Sequence, residues 1–159
     1  MPCRDIMNAS PLTLSPDTTV EAALSTMKKK AVCCAPVTDA SGTVMGLFSL
    51  RGLMETILPV SMNSESGFSG VLVEAAPGLR LRLQKLMGQS VAVVMERRFP
   101  HVFPDAPETQ AARLIADKGE GVIVMNENTG RLEGLITDLG VIEGLIAQQA
   151  SGQTSGNAA

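Results

Sequence analysis

The chain has 159 residues, 45% hydrophobic and 18% charged, which is enough apolar side chain for one compact core and the wrong balance for a disordered segment. A net charge of −3, with no Trp, no Tyr and only four Phe, excludes the basic face and stacking platforms of a nucleic-acid binder. No run reaches the roughly 20 apolar residues of a membrane span, and three cysteines (Cys3, Cys33, Cys34) without a secretory leader lead us to expect a reducing, cytoplasmic setting.

In chain order, the first predicted element is an extended segment, Leu12 to Asp17, ending in a Ser-Pro-Asp turn. A helix follows from about Thr19 to Lys29, with Val20, Ala23, Leu24 and Met27 at helical spacing. Val32 to Thr38 reads as a short buried strand. Cys33 and Cys34 fall inside it on opposite faces, and read as small core residues more readily than as a redox pair. The polar stretch Asp39 to Gly42 is a hairpin loop, Thr43 to Phe48 the return strand, and about Leu50 to Leu58 a closing helix.

Met62 to Gly70 is polar and Gly/Ser-rich, the composition of a mobile loop. Leu79 to Met87 places Leu79, Leu83 and Leu86 on one helical face, with Arg80, Arg82 and Lys85 largely off it. A basic amphipathic helix can dock on a membrane or an acidic partner, but at this length a packed connector is the simpler expectation. Then the grammar starts again. His101 to Asp105 is extended, and Pro107 to Lys118 is helical with Pro107 in its first turn and Gly119 at its end. Gly121 to Met125 and Arg131 to Ile136 flank a turn, and a helix runs from about Asp138 to Gln148. The tail, small and polar from Ser151, is expected to be disordered.

The second half repeats the first at an offset of 88 residues, without a gap: Met7 falls on Met95, Pro16-Asp17 on Pro104-Asp105, Gly46-Leu47 on Gly134-Leu135, and Gly52 on Gly140. Duplication in one register, turns and apolar runs together, outweighs any single motif. Each half is β-α-β-β-α, too small a core to stand comfortably alone. The expected fold is therefore α+β, two repeats packed about a pseudo-twofold axis. Repeat 1 covers residues 1–58 and repeat 2 residues 91–149, with a linker at 59–90 and a tail at 150–159.

Asp-Ile-Met, Leu-Ser-Pro-Asp-Thr-Thr-Val-Glu-Ala-Ala-Leu, Ala-Pro-Val-Thr-Asp and Gly-Leu-Phe-Ser follow one another in the first half. Val-Val-Met, Pro-Asp-Ala-Pro-Glu-Thr-Gln-Ala-Ala and Gly-Leu-Ile-Thr-Asp take their places in the second. This order resembles the CBS domain, named after cystathionine β-synthase, in the tandem form called a Bateman module, over about residues 3–58 and 91–148. The resemblance implies two inter-repeat clefts, homodimers, AMP, ADP, ATP or S-adenosylmethionine as ligands rather than a resident cofactor, and regulation of a target that here would be a separate protein.

The resemblance also supplies candidate ligand contacts. Ser49 and Thr137 match the hydroxyl of the family's ligand signature, at a helix start where hydroxyl, backbone N–H groups and helix dipole favour phosphate; the alternative is plain N-capping. Arg51 is placed to reach a phosphate, and Asp138 follows Thr137. Thr13 and His101 precede the first helix of each repeat, while Ala35 and Pro36, matched by Ile123 and Val124, would line the cleft wall. The signature ends in an acid that grips ribose hydroxyls, but Gly52 and Gly140 stand there in this chain. Nucleotide binding is accordingly expected to be weak. The leading expectation is a stand-alone sensor of an adenine nucleotide or related small anionic ligand; the alternative is a ligand-independent structural adaptor with degenerate clefts. No nucleophile–base pair, P-loop or metal cluster is visible, so no enzyme and no metal site are expected.

Overall fold

A computed structural model describes residues 1–58 and 78–156. The expected Met62 to Gly70 loop lies outside the described residues. The elements run α1 (Val20–Lys30), β1 (Cys34–Thr38), β2 (Val44–Ser49), α2 (Leu50–Ile57), α3 (Leu79–Leu86), α4 (Val91–Val94), β3 (His101–Val102), α5 (Glu108–Lys118), β4 (Val122–Met125), β5 (Leu132–Ile136) and α6 (Asp138–Gly156). The architecture is the expected α+β pair.

Each repeat forms because its elements supply complementary faces. Thr19 opens α1, its side chain accepting from Ala22 N at 3.1 Å, while Val20, Ala23 and Met27 turn inward. Strands β1 and β2 pair antiparallel, Cys34 opposite Ser49 and Val37 opposite Gly46. Strand β4 pairs antiparallel with β5 and parallel with β3. In the first repeat the counterpart of β3 shrinks to a single parallel bridge between Leu14 and Val37.

The two cores do not follow chain order. Val91 and Met95, at the head of repeat 2, pack with Leu14, Val20, Met27, Val37, Phe48 and Leu53. Cys3 and Ile6, at the head of repeat 1, pack with Val102, Ala111, Val122, Val124 and Ile136. The leading segments cross over and pair with the opposite sheets: Asn8 bridges Leu135, and Glu96 bridges Leu47. Glycines permit the crossings, since a Cβ on Gly46 would come within 2.9 Å of the Glu96 carbonyl oxygen, and one on Gly134 within 2.8 Å of the Asn8 carbonyl oxygen. The sheets meet through Cys34, Leu47, Ile123 and Leu135, and the hairpin tips join through a bridge between Thr43 and Arg131, equivalent residues of the two repeats.

Three expectations change. Cys33 is outside the strand, which starts at Cys34; Cys34 is buried and Cys33 exposed. Leu83 and Leu86 of α3 do pack on the first core, but Leu79 stays exposed. Helix α6 does not stop near Gln148 with a disordered tail from 150 onward; it continues to Gly156. No proline interrupts it, and Ser151 bonds back to the Ala147 carbonyl at 3.1 Å, so polar composition alone did not end the helix.

Candidate functional site

The closing helices of the two repeats begin on either side of a shared cleft. Helix α2 starts at Ser49, which is 2% exposed; its hydroxyl accepts from Gly52 N at 2.9 Å and donates to Glu120 Oε1 at 2.7 Å. Helix α6 starts after Thr137, whose hydroxyl oxygen accepts from Gly140 N at 3.2 Å. Both residues are therefore caps, but one is buried and the other open. Asp138 Oδ1 accepts from Leu139 N at 2.7 Å, so a carboxylate already serves the first turn of α6.

Between the two helix starts lies a cavity of about 640 Å³. Val32, Leu50, Met54, Leu135 and Leu139 give it apolar walls, and Arg51, Glu120, Thr137 and Asp138 contribute polar groups. Cys33 and Cys34 also line it, and burial raises the Cys34 thiol to about 11. Residues of both repeats share the wall, and the volume falls within the usual range of small-molecule pockets. Arg51 is also ion-paired with Glu55, Nε to Oε1 at 3.6 Å.

Of the ten residues named from the sequence, this cavity brings together Arg51, Thr137 and Asp138. Ser49 is buried and does not line the cavity; it touches the wall only through its hydrogen bond to Glu120. Ala35, Pro36, Ile123 and Val124 are fully buried strand residues rather than cavity lining. Thr13 is exposed, and so is His101, which contacts the Phe99 and Phe103 rings edge-on and bonds through Nδ1 with the Phe99 carbonyl at 3.2 Å. Neither lines the cavity.

Sequence reasoning missed two carboxylates. Glu120 lies in the turn after α5, and Glu96 in the crossing segment after α4. Glu96 Oε1 stands 3.0 Å from where a Gly52 Cβ would be. Its carboxyl is held above its ordinary range, first by burial and then by Glu120 and Glu55, against Arg51 and Lys118. Spacing within one repeat gives no hint of either, because both act across the repeats. Among the described residues, no group of three or more His, Cys, Asp or Glu is arranged to hold a metal, and no helix is long and apolar enough to cross a membrane.

Comparison with known proteins adds the following. The family model of the CBS domain matches residues 3–72 and 91–147. A CBS domain-containing protein of Dictyostelium discoideum is 26% identical over 145 residues, 90% of each chain. The A-adding tRNA nucleotidyltransferase of Aquifex aeolicus is 24% identical over 140 residues, but that match covers 88% of this chain and only 14% of the enzyme. Among solved structures, that of CBSX2 in complex with AMP, a protein known from Arabidopsis thaliana, has a TM-score of 0.68 at 23% identity, covering 92% of this chain and 97% of the other; this is a likeness of fold.

Proposed function

The chain belongs to the CBS domain family, and on that premise we propose that it is a regulatory module taking an adenine nucleotide or related adenosine compound in the cavity between its repeats. It acts by binding and catalyses no reaction of its own. The observation that carries this reading is the 640 Å³ cavity itself, apolar in its walls and lined by both repeats. Occupancy there bears directly on how the repeats pack, and a ligand that prefers one packing shifts the population toward it. AMP, ADP, ATP and S-adenosylmethionine are the candidate ligands, and CBSX2, of the same fold, has been solved with AMP. The readout passes to a target protein through a homodimer of this chain.

A second reading, the ligand-independent adaptor, draws on a different observation: the Ser49 hydroxyl is already spent on Gly52 and Glu120, and Arg51 is paired with Glu55. Cys33, exposed and on the cavity wall, separates the two. Iodoacetamide should alkylate Cys33 and spare buried Cys3 and Cys34. Under the binding reading, adenosine or AMP at millimolar concentration slows that alkylation. Full reactivity at Cys33 under every candidate ligand, with no heat in calorimetry, would establish the adaptor instead.

A further inference from the structure

One end of the cavity is closed to anions by the chain itself. Glu120 comes from repeat 2, in the turn that follows the left-handed cap Gly119 (φ 71°), and it reaches the first turn of α2 in repeat 1 through Ser49. The Ser49 hydroxyl has one proton to donate, and Glu120 receives it. A carboxylate thus stands beside the helix start where a ligand phosphate would gain from the dipole. Glu96 adds a second carboxyl beside Gly52, held above its ordinary range first by burial and then by the charge of Glu120. At the other helix start Asp138 occupies Leu139 N. Arg51 is the cation among the lining residues, against Glu120 and Asp138, and Glu55 shares its charge.

We propose that Glu120 is the specificity-determining residue of this cavity: held by Ser49 across the repeat boundary, it rejects phosphate at the α2 end and restricts the ligand to adenosine compounds that are uncharged or positively charged there. The inference rests on the cavity reading above and narrows it. A phosphate near this wall meets a like charge in a partly desolvated site, where removing one such charge is worth about tenfold in affinity. The sulfur, base and sugar parts of an adenosine compound meet no such penalty against Val32, Leu50 and Met54.

Calorimetric titration of the intact chain with adenosine and with AMP tests this. The unaltered protein should bind adenosine more tightly than AMP. Glu120→Gln keeps an acceptor for Ser49 and removes the charge, so AMP should gain about tenfold while adenosine stays within about twofold. Ser49→Ala frees the carboxylate but leaves it charged, and AMP should remain the weaker ligand. A measurement on the unaltered protein guards against a misfolded variant: screening weakens repulsion, so added salt should improve AMP binding relative to adenosine. Tighter binding of AMP than adenosine, unchanged by Glu120→Gln and weakened by salt, would overturn the assignment to Glu120 and leave the cavity reading standing. Absence of binding by both ligands in every variant, with Cys33 unprotected, would overturn both together.

Discussion

Gly52 and Glu96 illustrate how a missing side chain can be replaced in space rather than in sequence. The family signature places an acid at position 52, and this chain places none. The structure fills that volume with the Glu96 carboxylate, 3.0 Å from the site of a Gly52 Cβ, so an aspartate at 52 would meet both an atom and a like charge. At Gly140 the obstacle is the Ile6 carbonyl oxygen, 3.3 Å from the Cβ position, and again an added carboxylate would face an oxygen. The arrangement costs stability. Glu96 is held above its ordinary range by burial, Glu120 and Glu55, so the folded chain binds its proton more tightly than the unfolded chain does. Stability is therefore lost as pH rises from the ordinary glutamate range through the raised folded value, and the loss persists above it. Glu96→Gln should melt at a higher temperature than the unaltered protein at about pH 7, and the gap should close as pH falls toward about pH 3, where the carboxyl is neutral in both states. Thermal melts of the two proteins across that range provide the check; a gap that widens toward acid would show that Glu96 is instead a favourable charge.

Helices α1 and α5 end in the same way with different residues. Both stop in the left-handed region, at Ala31 (φ 55°) and Gly119 (φ 71°), equivalent positions of the two repeats. A non-glycine residue pays about 1–2 kcal/mol there, and glycine returns part of that through the greater freedom of the unfolded chain. Ala31→Gly should therefore stabilise the fold by about 0.5–1 kcal/mol, seen as a higher urea midpoint at constant slope. A lower midpoint would mean that the Ala31 methyl packs better than its exposure indicates. This element was legible from the repeat register, as were α5, the hairpins and the starts of the closing helices, because local periodicity and turn residues write them. The crossing segments were not legible: Asn8 and Glu96 pair with sheets far away in sequence, and a few extended residues carry no periodic signal. The end of α6 at Gly156 is not legible either, because small polar residues do not forbid a helix. The same division runs through the site. Arg51, Thr137 and Asp138 lie on the signature and line the cavity, whereas Glu120 gains its place from a contact with Ser49 spanning 71 residues, which spacing within a repeat does not reveal.

At the scale of the whole molecule, the exchange of leading segments makes the two repeats one cooperative unit. Pulling them apart would strip Val91 and Met95 from one core and Cys3 and Ile6 from the other, so the cavity between them is bounded by parts that hold each other in place. The closing helices then look outward. Leu53 and Ile57 of α2 and Val141 of α6 are buried within the chain. Met54, Leu139, Ile142, Leu145 and Ile146 remain exposed, and the four on α6 form one stripe at helical spacing. An apolar stripe on one helix is a surface that monomers seldom leave uncovered, and a second copy of the same stripe is self-complementary about a twofold axis. The protein should therefore sediment as a dimer at tens of micromolar, roughly the range in which a weak dimer forms. Ile142→Asp should convert it to monomer. Ile142 is 54% exposed in the isolated chain, so the substitution removes little from the fold of the protomer, and monomeric Ile142→Asp should keep its cooperative unfolding. A monomeric unaltered protein at those concentrations, or a dimer untouched by an aspartate at 142, would place the assembly surface elsewhere.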